Sequence, residues 1–372
     1  MTVEFNWHIP VGGDGLWRWQ RMPARFPHLE YLTQVAQAAE MNGFDRLLVP
    51  TAFSNGSFGI EAPYFDSYTT GVAMLAATRR IEVLIAHRPG FVNPGVFAQM
   101  CSTADHLGHG RLALNVVTAG APGDMEQYGD YLDHDTRYQR ASEYVTVLQQ
   151  LWSRTVTNHQ GQYYTLKDAR LEPKPVRPGG PPMFLAGASE AALDMAARQA
   201  DVYMMSAEVP ERIGQRIREL RNRAAAFGRT MRFCVAGLLI TRETDDAAKA
   251  HARAMVEHAD LEVVAERKSM GRMTTSVEDL RARAGTNMHT WASPTLWSGL
   301  THLAFGSAWV GSYETIADLF LEYVDVGVDI FQLYGNPYLE EAYRMGEEIL
   351  PRVKARLKTR GTPMPILEEA VA

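Results

Sequence analysis

The chain contains little cysteine and no long apolar run. Its 372 residues include two cysteines, Cys101 and Cys234, which lie too far apart in the sequence to form a CxxC motif or a disulfide framework. No window of about 18 apolar residues predicts a membrane-spanning helix, and the opening residues MTVEFNWHIP lack the basic and apolar regions of a signal peptide. These absences predict a cytoplasmic protein without a membrane partner.

Positive charge and the motifs of two common types of site are also lacking. Lys and Arg number 37 against 43 Asp and Glu, so the net charge of -6 leaves no basic surplus to neutralise a nucleic-acid backbone. The 11 histidines form no HExxH or similar ligand spacing, and no GxSxG nucleophile elbow occurs. We therefore expect no nucleic-acid partner, no bound metal and no Ser/His/Asp hydrolase.

Short apolar runs alternate with helical patterns along the chain, which predicts parallel strands connected by helices. Eight candidate strands span residues 3–9, 44–49, 81–86, 112–117, 183–186, 202–205, 233–241 and 330–333. A doubly wound dinucleotide-binding sheet should carry GxGxxG directly after its first strand, but here Ile9 leads into PVGGDG with no helix start behind it. The pattern favours an α/β fold of the (β/α)8 TIM-barrel type, with residues 1–372 as one domain.

Helices and insertions can be placed between these strands. Helical spacing predicts helices over 29–41, 135–152 and 190–197, the first stopped by Asn42-Gly43. Residues 156–167 resemble a hairpin insert. The longest irregular stretch, 258–306, is expected to be an insertion that acts as a lid over the site.

In a barrel of this type the site lies at the C-terminal ends of the strands, so the residues just after each strand are the candidates. This rim is rich in amides, hydroxyls and glycines, which suit hydrogen bonding to a polar planar ligand. The candidates are Phe53, Asn55, His87, Arg88, Asn115, Thr118, Gly187, Ala188, Ser189 and Asn336. Residues 187–189 open a helix whose N-terminus suits a phosphate, although an ordinary Ser N-cap explains this segment equally well.

Four motifs resemble the luciferase-like flavin monooxygenases. They are GRLALNVVT (110–118), LDHDTRY (132–138), GAS (187–189) and LEEAYR (339–344), and the likeness extends over about residues 5–351. Within that family the chain is most similar in pattern to the alkanesulfonate monooxygenases. The resemblance implies a barrel, O2 as co-substrate, non-covalent FMN supplied as FMNH2 by an NAD(P)H-dependent flavin reductase, and a homodimer or homotetramer.

The resemblance also implies roles for individual residues. Asn115 and Thr118 would stand beside the flavin ring and the bound oxygen, Tyr138 at the ribityl-phosphate end, and Gly187, Ala188 and Ser189 around the phosphate. The catalytic candidates are Asn115, His87 and Asn55, and the substrate-binding candidates are Phe53, Asn55, Arg88 and Asn336. A structural role is the alternative for three of them: Asn115 as a satisfied buried amide, Tyr138 as a core aromatic and His87 as a structural histidine.

Several positions depart from the pattern of the sulfonate-cleaving relatives. Ala236 and Leu238 replace an Arg and a His, and Asn336 replaces a Tyr. Losing a rim Arg removes a bidentate partner for a sulfonate. The expected activity is therefore an FMNH2-dependent two-component monooxygenase acting on a small organosulfur compound of the sulfonate or sulfone type. The alternatives are ring opening of a planar heterocycle, deazaflavin-dependent hydride transfer without oxygen, and non-catalytic flavin binding.

Overall fold

The computed structural model describes residues 3–14, 25–55, 61–118, 122–257, 289–299 and 306–360. Its strands are β1 (Glu4–His8), β2 (Arg46–Val49), β3 (Glu82–His87), β4 (Leu112–Val116), β5 (Thr157–Gln160), β6 (Thr165–Ala169), β7 (Met183–Ala186), β8 (Val202–Ser206), β9 (Arg232–Arg242), β10 (Leu296–Trp297), β11 (Ala308–Ser312) and β12 (Ile330–Tyr334).

Eight of these strands close into a parallel barrel. The order is β1-β2-β3-β4-β7-β8-β9-β12, and β12 pairs back with β1. Each of the eight strands predicted from the sequence corresponds to one barrel strand, with ends that differ by a few residues. The predicted (β/α)8 fold is confirmed.

Helices follow most barrel strands and pack around the barrel. They are α1 (Leu29–Met41), α2 (Ser67–Ala77), α3 (Pro94–Leu107), α4 (Pro122–Glu126), α5 (His134–Ser153), α6 (Glu190–Gln199), α7 (Pro210–Ala225), α8 (Asp245–Glu257), α9 (Tyr313–Asp325), α10 (Tyr338–Arg344) and α11 (Leu350–Arg360), with a π-helical segment (Met345–Ile349) joining the last two. Side-chain caps begin several of them, as where the Asp133 carboxylate accepts from the Thr136 N–H at 3.0 Å. None of the described helices is long and apolar enough to cross a membrane.

Two insertions leave the regular alternation. The β5–β6 hairpin is antiparallel and corresponds to the predicted insert. The second insertion was not predicted: β9 runs on past the barrel, and from Leu238 onward it pairs in parallel with β11, which carries β10 at its edge. The proposed lid, 258–306, falls mostly outside the described residues, apart from 289–299 and Gly306.

Alternation along each strand decides which side chains enter the barrel. The helix-facing positions join one large apolar core, which includes Val83 and Ile85 of β3. The inward positions form a separate cluster comprising Leu48, Leu84, Ala113, Phe184, Val202, Met204, Cys234 and Ile330. We call two residues of a strand equal in parity when an even number of positions separates them, because they then face the same side. The parity of a residue at the end of a strand therefore shows whether its side chain faces the barrel mouth or the helix layer.

A charged cluster closes the N-terminal end of the barrel. Arg46 lies between Glu4 and Glu82, with an N···O distance of 2.5 Å to each carboxylate. Arg232 contacts Glu4 at 2.8 Å, and Arg177 pairs with Glu82. Because this cluster is at the opposite end from the strand C-termini, it serves stability and leaves the other end for a ligand.

Candidate active site

Two buried polar side chains at the end of β4 have an oxygen without a partner. Asn115 shares its parity with the inward Ala113, and its side chain is only 7% exposed. Neither Asn115 Oδ1 nor Thr118 Oγ1 has a hydrogen-bond partner among the described residues. Buried polar atoms are rarely left unpaired in folded proteins, so these two oxygens are the candidates at the mouth for hydrogen bonds to a ligand.

The neighbouring strands end in small side chains that leave the barrel mouth hollow. Ala186 and Ser206 at the ends of β7 and β8, and Ala236 beside Ser206 on β9, point inward by their parity with Phe184, Met204 and Cys234. They line a cavity of about 600 Å3 that continues outward past Gly187 and Ala188 to α7. This volume is typical of a site for a small molecule or a cofactor.

The predicted phosphate-end residues come together at the turn between β7 and α6. The Ser189 Oγ caps α6 by accepting from the Ala192 N–H at 3.3 Å, and the side chains of Ser189 and Tyr138 are hydrogen-bonded. Gly187 has φ +139°, and a Cβ there would lie 2.7 Å from the Tyr138 hydroxyl oxygen. The turn is therefore a close-packed backbone cradle that only glycine permits.

His87 lies on the other side of the barrel wall from Asn115. It shares its parity with the helix-facing Val83 and Ile85, and its ring stacks on Phe97 with centroids 3.5 Å apart. Its Nε2 is 2.9 Å from the Tyr144 hydroxyl, and burial lowers the pKa of His87 to about 3. The structure does not bring His87 to the mouth, and this geometry favours the structural alternative over the catalytic one.

Asn55 joins two loops at the mouth. Its Nδ2 donates to the Gly12 carbonyl at 2.6 Å and to the Pro63 carbonyl at 2.7 Å, and the side chain is 1% exposed. Both amide hydrogens are engaged, so donation to a substrate would require breaking one of these bonds. This placement favours a loop-fixing role.

The substrate-binding candidates Phe53 and Arg88 lie together on one wall of the mouth. The Arg88 guanidinium sits 5.1 Å from the Phe53 ring centroid and donates to Met125 Sδ at 3.3 Å and to the Thr51 carbonyl at 3.5 Å. Tyr128 stacks on Phe53 with centroids 4.3 Å apart. Asn336, the fourth candidate, is half-buried directly after β12.

The sequence did not predict a third group of residues at the mouth, which consists of His8, Tyr334 and Tyr338. His8 is inward by parity with Asn6, because Phe5 and Trp7 belong to the helix-facing core. Its ring stacks on Tyr338 at 5.6 Å and lies 5.8 Å from Tyr334. Burial lowers the pKa of His8 to about 4, and in the described part of the chain its Nδ1 has no hydrogen-bond partner. The alternation of side chains along residues 5–8 of β1 was the sequence signal that could have placed the neutral His8 imidazole at the mouth.

The cavity also has a charged outer end that was not predicted from the sequence. Arg212, Arg216, Glu208 and Glu219 line it from α7 and the preceding loop. In contrast, no cluster of three His, Cys, Asp or Glu side chains within the described ranges could hold a metal ion. The cavity therefore combines an inner half of small and apolar side chains with a charged outer half.

The fold is a parallel (β/α)8 barrel with a cavity at its C-terminal end, which is where barrels of this type carry their sites. The family model "Luciferase-like monooxygenase" matches residues 11–330, which is most of the chain. The chain belongs to the luciferase-like monooxygenase family and is an enzyme of the flavin-dependent monooxygenase class.

Solved structures share this fold at low sequence identity. A riboflavin lyase (RcaE), solved with modified FMN and its substrate riboflavin, has a TM-score of 0.79 and 20% identity, over 96% of this chain and 92% of that one. EDTA monooxygenase (EmoA) from Chelativorans sp. BNC1 has a TM-score of 0.77 and 19% identity, over 96% and 94%. An F420-dependent secondary alcohol dehydrogenase has a TM-score of 0.69 and 17% identity, over 95% and 99%. At these identities the likeness shows the fold alone.

Proposed function

We propose that the protein is the oxygenase of a two-component system that uses FMNH2 and O2 to oxidise a small, uncharged organic substrate. The observation that carries the proposal is the cavity of about 600 Å3, which runs from the inward strand ends to the Gly187 turn. In the reaction one oxygen atom enters the substrate, the other leaves as water, and FMNH2 is oxidised to FMN. We infer that an NAD(P)H-dependent flavin reductase supplies the FMNH2, as the family resemblance implies.

The residues of the cavity fit FMN at both of its ends. Small side chains at Ala186, Ser206 and Ala236 leave room for a planar ring system, and the unpaired Asn115 Oδ1 offers an acceptor to a ring N–H. At the other end, the Gly187 turn and the start of α6 offer backbone N–H groups to a phosphate. When bound, reduced FMN supplies the electrons that activate O2.

The protein's own contribution is binding, orientation and exclusion of water. Asn115 fixes the plane of the ring through its amide, and the packed Phe53, Phe91 and Tyr128 rings keep one wall of the mouth apolar. Arg88 lies over Phe53 on the same wall, and we assign it the orientation of a polar oxygen of the substrate. These roles require no proton transfer by His87.

The substrate side of the mouth favours an uncharged molecule. Ala236 packs against the inner barrel cluster and Leu238 is buried in a neighbouring apolar cluster, so this part of β9 offers no cation to a sulfonate. The neutral His8, with Tyr334 and Tyr338, adds aromatic faces and weak hydrogen-bonding groups. Among organosulfur compounds a sulfone therefore fits better than a sulfonate. The same aromatic faces favour a planar heterocycle as the second candidate.

The test is oxygen uptake with a coupled flavin reductase, NADH and FMN, in the presence of candidate sulfones, sulfonates and planar heterocycles. We expect one class to give product labelled from 18O2 in a one-to-one ratio with NADH consumed. Product formation without oxygen uptake, driven by a reduced deazaflavin, would replace the proposal with hydride transfer. Tight binding of oxidised FMN without turnover on any substrate would indicate a flavin-binding protein.

The assembly state is part of the same proposal. A homodimer or homotetramer is expected from the family resemblance. Light scattering coupled to size exclusion would measure it directly, and a strictly monomeric active enzyme would contradict this expectation.

A further inference from the structure

The outer end of the cavity is lined by one face of α7. Arg212 precedes Gln215 and Arg216 by three and four residues, and Glu219 follows that pair by four and three, which places all of them on the same side of the helix. The same cavity is lined by Gly187 and Ala188 at the start of the β7–α6 turn. Two guanidinium groups therefore share a cavity with the backbone cradle to which the phosphate was assigned.

Tyr203 lies between the cradle and the electrostatic influence of Arg216, and both residues line the cavity. The Tyr203 hydroxyl donates to the Gly187 carbonyl, and the positive charge of Arg216 is the main electrostatic influence on that hydroxyl. Burial raises the pKa of Tyr203, whereas Arg216 acts in the opposite direction, as expected for a cation close to the phenol oxygen. Arg216, Tyr203 and Gly187 all line the same cavity, which places Arg216 on the wall that faces the turn.

The ion pair that Arg216 forms with Glu219 leaves part of the positive charge and most of the N–H donors of Arg216 available to a phosphate. Its Nη1 contacts Glu219 Oε2 at 3.1 Å, but the other oxygen of Glu219 accepts from Arg223 at 2.7 Å, so one carboxylate is shared by two arginines. Arg223 has a second partner in Glu190 at 2.9 Å. A guanidinium has five N–H donors, and partly exposed pairs of this kind exchange partners at little cost.

The phosphate residues implied by the family resemblance contain no cation. Tyr138, Gly187, Ala188 and Ser189 offer neutral donors only, and the Ser189 Oγ already accepts from the helix it caps. A phosphate carries up to two negative charges, and arginine is the side chain best matched to it. We propose that Arg216, assisted by Arg212, binds the cofactor phosphate from α7 and makes the cavity prefer phosphorylated flavin to riboflavin.

This inference rests on the proposed function, because it concerns the cofactor of the same site. It adds a charge-based selectivity that the neutral cradle does not provide. Arg212 contributes less than Arg216, since it is more exposed and forms a 2.7 Å pair with Glu208. Recognition of the phosphate by arginine also implies that the affinity for FMN falls as the salt concentration rises, whereas the affinity for riboflavin does not.

The experiment compares two probes, reduced FMN and reduced riboflavin, by anaerobic titration calorimetry on the full-length protein. For R216Q we expect the Kd for FMN to rise about tenfold or more, as for loss of a charge-assisted hydrogen bond, with the Kd for riboflavin unchanged. R216K should retain an intermediate preference, and R212Q should show a smaller loss. R218Q is the matched control, because Arg218 is exposed on α7 and does not line the cavity.

Three results would overturn the inference. An R216Q variant that weakens both ligands equally would show that Arg216 shapes the cavity and does not read the phosphate. Unchanged affinities of R216Q for both reduced flavins, with the wild type still binding FMN, would remove the role of Arg216 and leave the proposed function intact. A wild-type protein that binds neither reduced flavin would instead remove the proposed function, and this inference with it. Equal melting temperatures of the variants confirm that each is folded.

Discussion

The side chain of Asn115 is a buried amide at the end of β4, and its two candidate roles, packing and ligand binding, make opposite predictions for stability. Its Oδ1 is buried without a partner among the described residues, and an unsatisfied buried polar group costs about 1–3 kcal/mol. Leu has a similar size but no polar atom. A residue kept for packing should lose stability on such a change, whereas a residue kept for a ligand should not.

We predict that N115L leaves the unfolding free energy of the cofactor-free protein unchanged or higher by about 1 kcal/mol. Its FMNH2 affinity and turnover should fall about tenfold or more, because the ring loses its hydrogen-bond partner. Denaturant unfolding and reductase-coupled turnover measure the two effects. A destabilised variant with full activity would assign Asn115 to packing.

His87 provides a second test at the same scale. Because burial lowers its pKa from 6.5 to about 3, the unfolded chain takes up a proton below pH 6.5 that the folded protein does not. This contribution to stability is fully present above pH 6.5 and declines as the pH falls towards 3, by up to about 1.4 kcal/mol per pH unit.

The H87F variant keeps the stacking on Phe97 and removes the titration. We expect its unfolding free energy to fall less steeply than that of the wild type between pH 6.5 and pH 4, in urea titrations across that range. Turnover at neutral pH should stay within about threefold of the wild type, since the side chain does not face the mouth. Loss of turnover in a folded variant would restore the catalytic prediction.

At the scale of elements, local patterns predicted most of the barrel. The strands whose two faces are both buried appear as apolar runs, and α1 is bounded by the sequence signals at Asn42 and Gly43. The β10–β11 insertion was missed because β11 is held by pairing with the distal half of β9, about 70 residues earlier in the chain. A short strand held by a distant partner has no local signal.

The β5–β6 hairpin is fixed to α5 by a single carboxylate. Glu143 accepts from the backbone N–H groups of Gln162, Tyr163 and Tyr164 at distances from 2.8 to 3.2 Å. Burial alone would raise the pKa of Glu143, but these N–H groups outweigh it and lower the pKa. The anchor is therefore present above the ordinary Glu pKa of 4.5 and is lost as the pH falls through the lowered value.

We predict that E143Q loosens the hairpin without unfolding the barrel. The neutral amide oxygen of Gln accepts hydrogen bonds from these N–H groups more weakly than a carboxylate does. We therefore expect the protection of the Tyr163 and Tyr164 amides against hydrogen exchange to fall about tenfold. The control Q139A removes only a 3.3 Å contact to the Tyr163 hydroxyl and should change little. Unaltered exchange in E143Q would contradict the anchoring role.

At the scale of the whole molecule, the barrel separates stability from chemistry along its axis. The charged cluster around Arg46 closes one end, and the hollow mouth occupies the other. The rule that sites lie at the strand C-termini selected Asn115, Thr118 and residues 187–189 as candidates from the sequence, whereas Tyr138, which lies inside α5, was a candidate only through the family resemblance. The rule could not choose between His8 and His87, because the choice depends on whether the strand includes the histidine and on its parity. Nor could it select Arg216, because that requires the position of α7 relative to the turn.

This separation predicts a variant that is less stable but equally active. R46M leaves Glu4 and Glu82 with only Arg232 and Arg177, so we expect a loss of about 2–4 kcal/mol in unfolding free energy. Turnover per folded molecule should not change. The control R360M breaks the exposed pair with Asp325 and should cost less than about 1 kcal/mol. Equal losses in both variants would contradict a structural role for the cluster.

The central claim is that the cavity at the mouth holds reduced flavin and controls its reaction with oxygen. Stopped-flow mixing of the anaerobic protein, saturated with FMNH2, against oxygenated buffer tests this most directly. We predict an absorbing species, distinct from reduced and oxidised flavin, that persists without substrate and decays faster when the correct substrate is present. Oxidation of the flavin at its rate in free solution, with no such species, would contradict the account.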